Sequence, residues 1–461
     1  MRLAGGTLDR LPEGVSRFSY DRAAQKVGIV HFGIGAFHRA HQAWYTDAAM
    51  NAGGRDWMIA GVSLRSPDVA AQLNPQDGLY SLTERSAAGN AVRVVGSVKQ
   101  VLVATTAADA AIAALAAPSV HIASLTVTEK GYCRAADGSL DAALAGPGSI
   151  YGFLAAGLRQ RRDVGLGGLT LLSCDNLPDN GRLLQQLLVQ HCEEHDPALA
   201  QWVARECAFP SSMVDRIVPA TTEQDRDAVD AALGFRDEAA VVTEPFSQWV
   251  IEDRFAGVRP RWEQVGAELV TNVAPYEAAK LRMLNGAHSA LAYLGLARGH
   301  AFVHRAVADP EIRGLVERLM RDEALPSIDA APSQDLHAYS STLLARFANP
   351  ALNHRLSQIA MDGSQKIPQR WLATLADRQR HGLPCHAILT ALAAWLRHAR
   401  GDNGAVDDPM ASGLRDAWLQ AGEAGVVDAI LGPDGLLASA WTPAASDREW
   451  IMRGLTGGPA I

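Results

Sequence analysis

Four polar residues at helical spacing give the first indication of chemistry in this chain. At about 100° per residue they fall within an arc of roughly 140° on one helix face: Glu277, Lys280, Asn285 and His288. The neighbouring sequence is strongly apolar, so we expect this face to be partly buried. A buried amine loses its charge more easily, so a lysine there could act as a general base, and an asparagine amide could hydrogen-bond a developing alkoxide. The alternative is a polar patch with a purely structural role.

A glycine turn is the second indication. It follows an apolar run, precedes a helical stretch and consists of Gly33, Ile34, Gly35, Ala36 and Phe37. Two glycines there let the chain turn sharply and let a pyrophosphate approach the free N–H groups at the start of a helix. The third glycine of the usual G-x-G-x-x-G is replaced by His38. The position of this turn, at the first strand–helix junction, favours a dinucleotide site over a plain tight turn.

The end of the next apolar run bears on the choice of cofactor. An acid at this point hydrogen-bonds the adenosine ribose of NAD, whereas an arginine can meet the 2′-phosphate of NADP. Asp68 could do the first and Arg65 the second. The local chemistry therefore leaves NAD and NADP both open.

A polar loop follows another apolar strand, at 169–172. It includes Asn176, and such residues beyond the carboxyl end of a strand are where doubly wound sheets place ligand groups. The alternative is an ordinary helix cap at Asp179 or Asn180.

One histidine pair imitates a metal site. His191 and His195 have the H-x-x-E-H spacing of inverted zinc peptidases. They also continue the apolar stripe of Leu184 and Leu188, which favours a histidine pair at the edge of the core. We therefore predict no metal site, with a zinc hydrolase as one alternative class and a catalytically silent nucleotide-binding protein as another.

Composition narrows the class of protein. With 48% hydrophobic and 20% charged residues, the 461-residue chain can bury a full core and is not wholly disordered. A net charge of −8 argues against nucleic acid as a partner. The five cysteines contain no C-x-x-C, which suits a reducing cytoplasm. The uncharged run from Ala110 to Thr128 contains Pro118 and His121, which predicts a helix, a turn and a buried strand rather than a membrane span.

The elements that must position these residues change type along the chain. Short apolar runs alternate with helical stretches, one of them from about residue 39 to 52, as in a mostly parallel, doubly wound sheet. After about residue 273 almost every segment has helical period. We predict an α/β Rossmann-type domain over 1–272 and a mostly α-helical domain over 273–461, which would bind the substrate and carry the catalytic residues.

Motifs along nearly the whole chain resemble those of the polyol-specific long-chain dehydrogenases, the mannitol dehydrogenase family. K-x-x-x-x-N-x-x-H is the signature of that family. The matching segments are VHFGIGAFHRAHQA (30–43), SLTVTEKGYC (124–133), SCDNLPDNG (173–181), FPSSMVDRIVPATT (209–222), EPFSQWVIEDRF (244–255), KLRMLNGAHSALAYLG (280–295) and NPALNHRLSQIAMDGSQKIPQR (349–370).

The resemblance implies a metal-independent, NAD-linked oxidoreductase of secondary alcohols, and it implies roles. Lys280 corresponds to the general base, while Asn176 and Asn285 would polarise the substrate oxygen. The other roles are listed together: His288 orients the substrate, Glu277 lies on a proton path, Asp215 lies in the active site, and Lys366 is a substrate-side cation. Arg65 departs from the NAD-linked pattern, so NADP stays open.

The resemblance also bears on the substrate. The wording of QIAMDGSQKIPQR is nearer to the branch that interconverts D-fructuronate and D-mannonate than to the branch that oxidises mannitol or arabinitol. A sugar acid differs from a neutral ketose by a carboxylate, which needs a cation. Lys366 and Arg370 are four residues apart and share a face if that segment is helical. A linear sugar acid is therefore expected, with a polyol as the alternative.

Overall fold

The computed structural model describes residues 1–135 and 137–456. It divides into two compact units, Met1–Ala274 and Pro275–Ile461. The first unit has two clusters of buried apolar side chains and the second has one. In the described part of the chain no helix is long and apolar enough to cross a membrane.

All strands among the described residues belong to the first unit. In chain order they are β1 (Val15–Arg17), β2 (Val27–Phe32), β3 (Met58–Ser63), β4 (Tyr80–Ser86), β5 (Gly89–Val95), β6 (Val98–Val103), β7 (Ile122–Leu125), β8 (Thr170–Ser173), β9 (Ser212–Asp215), β10 (Val241–Thr243), β11 (Gln248–Glu252) and β12 (Glu268–Val270). The apolar runs of the sequence correspond to β2, β3, β7 and β8, which are buried along nearly their whole length.

The central sheet is parallel, with the strand order β6-β3-β2-β7-β8. From β2 the chain moves to one side through β3 and β6, and then returns to the other side of β2 with β7 and β8. The strand order therefore reverses between β2 and β7, and doubly wound sheets bind ligands at the carboxyl ends of strands at such a point. This sheet confirms the predicted Rossmann-type fold.

The other strands of this unit form two smaller sheets. One has the order β1-β5-β4-β10 and the other the order β12-β11-β9. In the second, β9 runs antiparallel to β11, and Asp215 lies opposite Gln248. Asp215 is therefore the last residue of β9, and its backbone position is fixed by the pairing with β11.

The helices of the first unit begin directly after the glycine turn. They are α1 (Ala36–Ala40), α2 (Gln42–Asn51), α3 (Asp68–Leu73), α4 (Ala108–Ala116), α5 (Thr128–Gly131), α6 (Ile150–Asp163), α7 (Asn180–His195), α8 (Pro197–Glu206) and α9 (Glu223–Leu233). The helical stretch predicted from about residue 39 to 52 corresponds to the end of α1 and to α2, which meet at His41. The backbone of His41 leaves the helical region (φ −124°, ψ −90°), and its Nε2 lies 2.9 Å from the Gln248 carbonyl oxygen.

The second unit is helical, as predicted. Its α-helices are α10 (Ala274–Ala279), α11 (Gly286–Ala297), α12 (Val303–Ala308), α13 (Pro310–Arg318), α14 (Leu336–Phe347), α15 (Leu356–Ala360), α16 (Gly363–Ile367), α17 (Ala373–Arg380), α18 (His386–Arg400), α19 (Ala411–Leu431) and α20 (Ala445–Leu455). Segments of π-helix continue some of them: π1 (Lys280–Asn285), π2 (Leu319–Ala324) and π3 (Pro368–Leu372). Short 3₁₀ turns lie at Gly5–Arg10, Asn74–Gln76, Trp262–Val265, Leu325–Ser327 and Pro350–Leu352.

Candidate functional site

Gly33 ends β2 at the point where the strand order reverses. Its N–H donates to the Val62 carbonyl oxygen at 2.9 Å, which ties the turn to the end of β3. Its φ is +90°, and a Cβ at this position would lie 2.1 Å from the carbonyl oxygen of Thr126, just beyond β7. Only glycine fits here, because both the backbone conformation and the contact exclude a side chain.

Gly35 leaves open space where α1 begins. Gly35 is exposed, and the atom nearest to a Cβ added there would be the Gly33 carbonyl oxygen, 3.8 Å away. Ile34, between the two glycines, is buried and packs so closely on β3 that a Cβ at Gly61 would lie 2.4 Å from its Cδ1. Ile34 therefore fixes the turn against β3, while Gly35 leaves its backbone accessible on the solvent side. This arrangement fits the approach of a pyrophosphate to the backbone.

His38 takes the place of the third glycine by packing on β2. Its ring stacks on that of His31, with centroids 3.3 Å apart and the planes 15° from parallel. The His31 ring nitrogens lie 2.8 Å from Ser124 Oγ and 2.9 Å from Thr126 Oγ1. Burial lowers the pKa of His31 to about 3 and that of His38 well below its ordinary value, so both rings are neutral near pH 7 and support the turn without adding charge.

Arg65 and Asp68 both follow β3, and both are exposed. The loop between them is held by hydrogen bonds around Ser66, whose Oγ accepts from the Asp68 N–H at 3.1 Å and whose carbonyl oxygen accepts from Ser63 Oγ at 2.6 Å. The structure thus places an acid and a guanidinium at the same edge of the sheet. Asp68 could bind the adenosine ribose of NAD and Arg65 the 2′-phosphate of NADP, so this edge is compatible with both cofactors.

The loop after β8 is fixed by the carboxylate of Asp175. This carboxylate accepts hydrogen bonds from the N–H groups of Val127 (3.1 Å) and Thr128 (2.8 Å) and from Tyr132 Oη (3.1 Å). Burial raises the pKa of Asp175, and these donors oppose the shift. Asn176, the next residue, is exposed, so Asp175 holds the backbone from which the Asn176 amide projects.

The helix-cap alternative for this loop accounts for part of it. Asp179 directly precedes α7, in a left-handed conformation (φ 49°), and its side chain does not cap the helix. Asn180, the first helical residue, instead spans two segments, donating through Nδ2 to the carbonyl oxygens of Asp175 (2.9 Å) and Ser212 (2.8 Å). The loop that carries Asn176 is therefore joined to the start of β9.

Asp215 is buried at the end of β9, only 5% exposed. The next residue, Arg216, is also buried and donates to the carbonyl oxygens of Ala40 (2.6 Å) and Glu244 (3.0 Å) and to the Glu84 carboxylate (2.5 Å). Arg216 thus joins the end of β9 to the end of α1. Within the first unit, these bonds position Asp215 relative to the glycine turn.

The K-x-x-x-x-N-x-x-H motif lies on a helix that is not regular. Residues 274–297, here named the lysine helix, consist of α10, π1 and α11, and π1 runs from Lys280 to Asn285. The prediction of a uniform 100° per residue is wrong over this segment. Because a π-helix closes i→i+5 hydrogen bonds, its wider turn brings Lys280 and Asn285, five residues apart, closer to one face than a regular helix would. Lys280 and Glu277 are both half-buried, as expected from the apolar flanks.

His288 lies in a basic environment. Its ring packs on Phe347 (centroids 4.7 Å apart) and meets His354 edge-on (5.4 Å). Its Nε2 is buried and has no hydrogen-bond partner among the described residues. Burial, followed by the proximity of His354, Arg346 and Arg370, lowers the pKa of His288 far below its ordinary value. The imidazole is therefore neutral at pH 7.

Sequence reasoning assigned no role to His354 or Arg346. Both lie in or beside the segment 349–370 that carries family motifs, but their approach to His288 is set by how α14 and the loop after it pack on the lysine helix. His354 Nδ1 is also buried and, in the described chain, lacks a hydrogen-bond partner. Burial lowers the pKa of His354, so a second neutral imidazole lies beside the first.

Lys366 and Arg370 reach different partners. Arg370, in π3, donates to Ser289 Oγ at 2.7 Å and to the Asn285 carbonyl oxygen at 3.3 Å, so it contacts the lysine helix. Burial lowers the pKa of Arg370 to about 10, which leaves it charged at neutral pH. Lys366 Nζ donates to the carbonyl oxygen of Met361 at 2.5 Å and lies 3.8 Å from the Asp362 carboxylate. The structure therefore brings Arg370 to the motif residues and directs Lys366 to the end of α15.

The histidine pair that imitates a zinc site is a structural pair. The rings of His191 and His195 stack with centroids 4.6 Å apart, and His195 Nδ1 lies 2.8 Å from the His191 carbonyl oxygen. Across residues 1–135 and 137–456, no group of three or more His, Cys, Asp or Glu side chains is placed to hold a metal ion. The zinc-hydrolase alternative thus has no ligand set in the described chain.

Comparisons with known proteins bear on the family of the chain. The profile of the mannitol dehydrogenase Rossmann domain matches residues 27–264, and that of the mannitol dehydrogenase C-terminal domain matches residues 272–434. The chain is 43% identical to the uncharacterized oxidoreductase YeiQ of Escherichia coli (strain K12), over 88% of this chain and 87% of that one. It is 39% identical to the D-mannonate oxidoreductase of the same organism, over 92% and 91% of the two chains.

A solved structure extends the similarity to three dimensions. The ternary complex of Pseudomonas fluorescens mannitol 2-dehydrogenase with NAD and D-mannitol superposes with a TM-score of 0.85 at 36% identity, covering 99% of this chain and 96% of that one. These matches confirm the resemblance found in the sequence motifs. The chain belongs to the mannitol dehydrogenase family of oxidoreductases.

Proposed function

We propose that the chain is an NAD-dependent dehydrogenase of a linear sugar acid of the D-mannonate/D-fructuronate type, with Lys280 as the general acid/base. The observation that carries the sugar acid is the basic environment of His288. His354 beside it is neutral, and the two charged groups that lower its pKa are guanidiniums, those of Arg346 and Arg370. Arg370 also donates to Oγ of Ser289, the residue next to His288, at 2.7 Å. An anionic substrate is stabilised by such surroundings, and a neutral polyol gains less from them.

The cofactor is supported by the glycine turn and by the relatives. The open space at Gly35, above the anchored Ile34, suits a pyrophosphate, and the solved mannitol 2-dehydrogenase holds NAD. Residues Gly33 to Phe37 would hold the pyrophosphate, and Asp68 the adenosine ribose. When bound, NAD supplies the hydride acceptor or donor.

The residues of this chain supply the proton transfer and the orientation of the substrate. In the oxidation direction Lys280 Nζ accepts the proton of the substrate hydroxyl, and in reduction it returns a proton to the oxygen. The amide of Asn285, on the same helix, donates a hydrogen bond to that oxygen and stabilises its developing charge. The resemblance to the family gives Asn176, in the first unit, the same role. The neutral ring of His288 orients a substrate hydroxyl, Asp215 contacts the substrate, and Glu277 connects Lys280 to solvent.

A polyol is the second candidate substrate, and two observations favour it. The solved relative binds D-mannitol, and the Lys366 ammonium is already engaged by backbone carbonyl oxygens. A mannitol- or arabinitol-type reaction would use the same Lys280 chemistry. The two candidates therefore differ in substrate and not in mechanism.

The proposal is tested by NADH oxidation with D-fructuronate and D-fructose, and by NAD reduction with D-mannonate and D-mannitol. We expect turnover with at least one of these pairs, and we expect it to survive exhaustive dialysis against a chelator, because the described chain offers no metal-ligand cluster. Stoichiometric zinc whose removal abolishes turnover would overturn the mechanism. Binding of NADH without turnover on any substrate would indicate the catalytically silent alternative, and a parallel NADPH series tests the influence of Arg65.

Substitution of Gly35 tests the cofactor site separately from catalysis. Gly35→Val fills the open space at the turn, and we expect the dissociation constant of NAD to rise by roughly tenfold or more, the loss typical of a charged hydrogen bond. The melting temperature should change little, because the atom nearest to the added Cβ is 3.8 Å away. Gly14→Val is the matched control, since Gly14 is exposed with no atom within 4 Å. Equal NAD affinity in the two variants would place the pyrophosphate elsewhere.

A further inference from the structure

The second unit contains a cavity that the proposed reaction does not use. Its volume is about 500 Å³, which is within the usual range of small-molecule sites. Of the described residues that line it, none belongs to the lysine helix. The lining residues on which the argument depends are Arg318, Glu323, Arg378, His386 and Trp450.

Arg378 is a buried guanidinium on the wall of this cavity. It is only 9% exposed, and its Nε is buried without a hydrogen-bond partner in the described part of the chain. An unsatisfied buried donor on a charged group is costly, so its presence at a cavity wall indicates an acceptor that the protein itself does not provide.

The groups beside Arg378 leave this acceptor position open. The Glu323 carboxylate is near enough to interact with Arg378, but its two oxygens accept from the N–H groups of Ala387 (2.7 Å) and Ile388 (2.8 Å) at the start of α18. The neighbouring Cys385 thiol, whose pKa burial raises to about 12, also interacts with the Arg378 side chain, but a neutral sulfur is a weak acceptor for a guanidinium. Neither Glu323 nor Cys385 therefore provides Arg378 with a carboxylate that is free of other hydrogen bonds.

The remaining walls combine an aromatic surface with further charges. The His386 ring lies parallel to Trp450, with centroids 3.9 Å apart and planes 9° from parallel, and Trp450 Nε1 donates to Thr390 Oγ1 at 3.0 Å. The other charged lining residues are the exposed Arg318, Arg453 and Asp322. Arg453 is paired with the Glu449 carboxylate outside the cavity wall, and Arg378 is the buried arginine among the three that line the cavity.

The wall also includes an irregular helical segment. Asp322 and Glu323 belong to π2, and π-helical turns occur frequently at functional sites because they redirect side chains. Here the wider turn carries the Glu323 carboxylate to the first turn of α18. The Glu323 carboxylate is thus engaged by backbone N–H groups, and Arg378 is the buried cation that lines the cavity.

We propose that this cavity is a second ligand site, which binds a small organic anion through its carboxylate or phosphate group on Arg378, with an apolar or ring-shaped body against the Trp450–His386 stack. A guanidinium fork matches the geometry of both anions. The site is independent of the proposed dehydrogenase reaction, since it shares no residue with it.

The test uses calorimetric titration of the full chain with three probes of one shape: benzoate, phenyl phosphate and benzyl alcohol. We expect one anion to bind with a stoichiometry of one, at least about tenfold more tightly than the neutral alcohol. Arg378→Met should weaken that binding by about tenfold or more, and Arg380→Met should not. Arg380→Met is the matched control, because Arg380 lies exposed on the same helix and its substitution removes the same charge.

Comparison of benzoate with phenyl phosphate identifies the anionic group that the site prefers. If the site is selective, only one of the two probes should lose affinity in Arg378→Met. If Arg378→Met does not fold, Arg378→Lys keeps the charge without the fork, and we expect a loss of several-fold at an unchanged melting temperature. No binding of either anion at millimolar concentration, or equal binding in wild type and the Arg378 variant, overturns the proposal. Turnover plays no part in these outcomes, so failure here leaves the proposed reaction untouched.

Discussion

Replacement of Lys280 by Ala is expected to lower turnover by about two to four orders of magnitude, the usual worth of a positioned acid–base group. Lys280 is half-buried at the start of π1, on a helix whose neighbouring side chains are mostly apolar. The amine is the group on this helix suited to exchanging a proton with a substrate oxygen, because the buried imidazole of His288 has its pKa far below the ordinary value. Removing it leaves the oxygen with hydrogen-bond donors but no proton acceptor.

The affinity for NAD separates this effect from general damage. The glycine turn lies in the other unit of the chain, so the dissociation constant of NAD should be nearly the same in wild type and Lys280→Ala. Partial recovery of turnover on addition of a small primary amine would identify the missing group as the proton acceptor. Near-normal turnover in Lys280→Ala, with NAD still bound, would show that the base is a different residue.

The elements recognised in the sequence are those whose signals are local. β2 and β3 are buried on both faces, so they appear as nearly continuous apolar runs, and Gly33, the first residue after β2, is required by its φ of +90°. The family motifs then name the residues at the strand ends. These features need no knowledge of distant contacts.

Other features depend on contacts that the sequence does not display. β10 pairs with β4 across more than a hundred residues, and nothing in either short strand indicates the partner. His38 substitutes for a glycine only because His31 offers a ring to stack on. The π1 segment breaks the 3.6-residue period from which the helix face was predicted, and His354 reaches His288 from a loop far along the chain.

The basic environment of His288 also predicts a substrate preference. We expect kcat/KM to be about ten- to a hundred-fold higher for D-fructuronate than for D-fructose, since a cation–carboxylate hydrogen bond is typically worth about 1.5–3 kcal/mol. Of the two cations expected from the sequence, Arg370 is the one in contact with the lysine helix, and its pKa of about 10 keeps it charged at neutral pH. Lys366 is bound to carbonyl oxygens near α15, so we expect it to contribute less.

Arg370→Met should therefore reduce the ratio of the two kcat/KM values towards one, whereas Arg370→Lys should retain part of it. The ratio is the informative measurement, because Arg370 also donates to Ser289 and Asn285. Any distortion of the lysine helix in the variant lowers both efficiencies together and cancels in the ratio. The loss of a carboxylate partner affects only the uronate. Equal or higher efficiency with D-fructose in the wild-type chain, or with D-mannitol in the oxidation direction, would place this protein among the polyol dehydrogenases and leave the role of Lys280 intact.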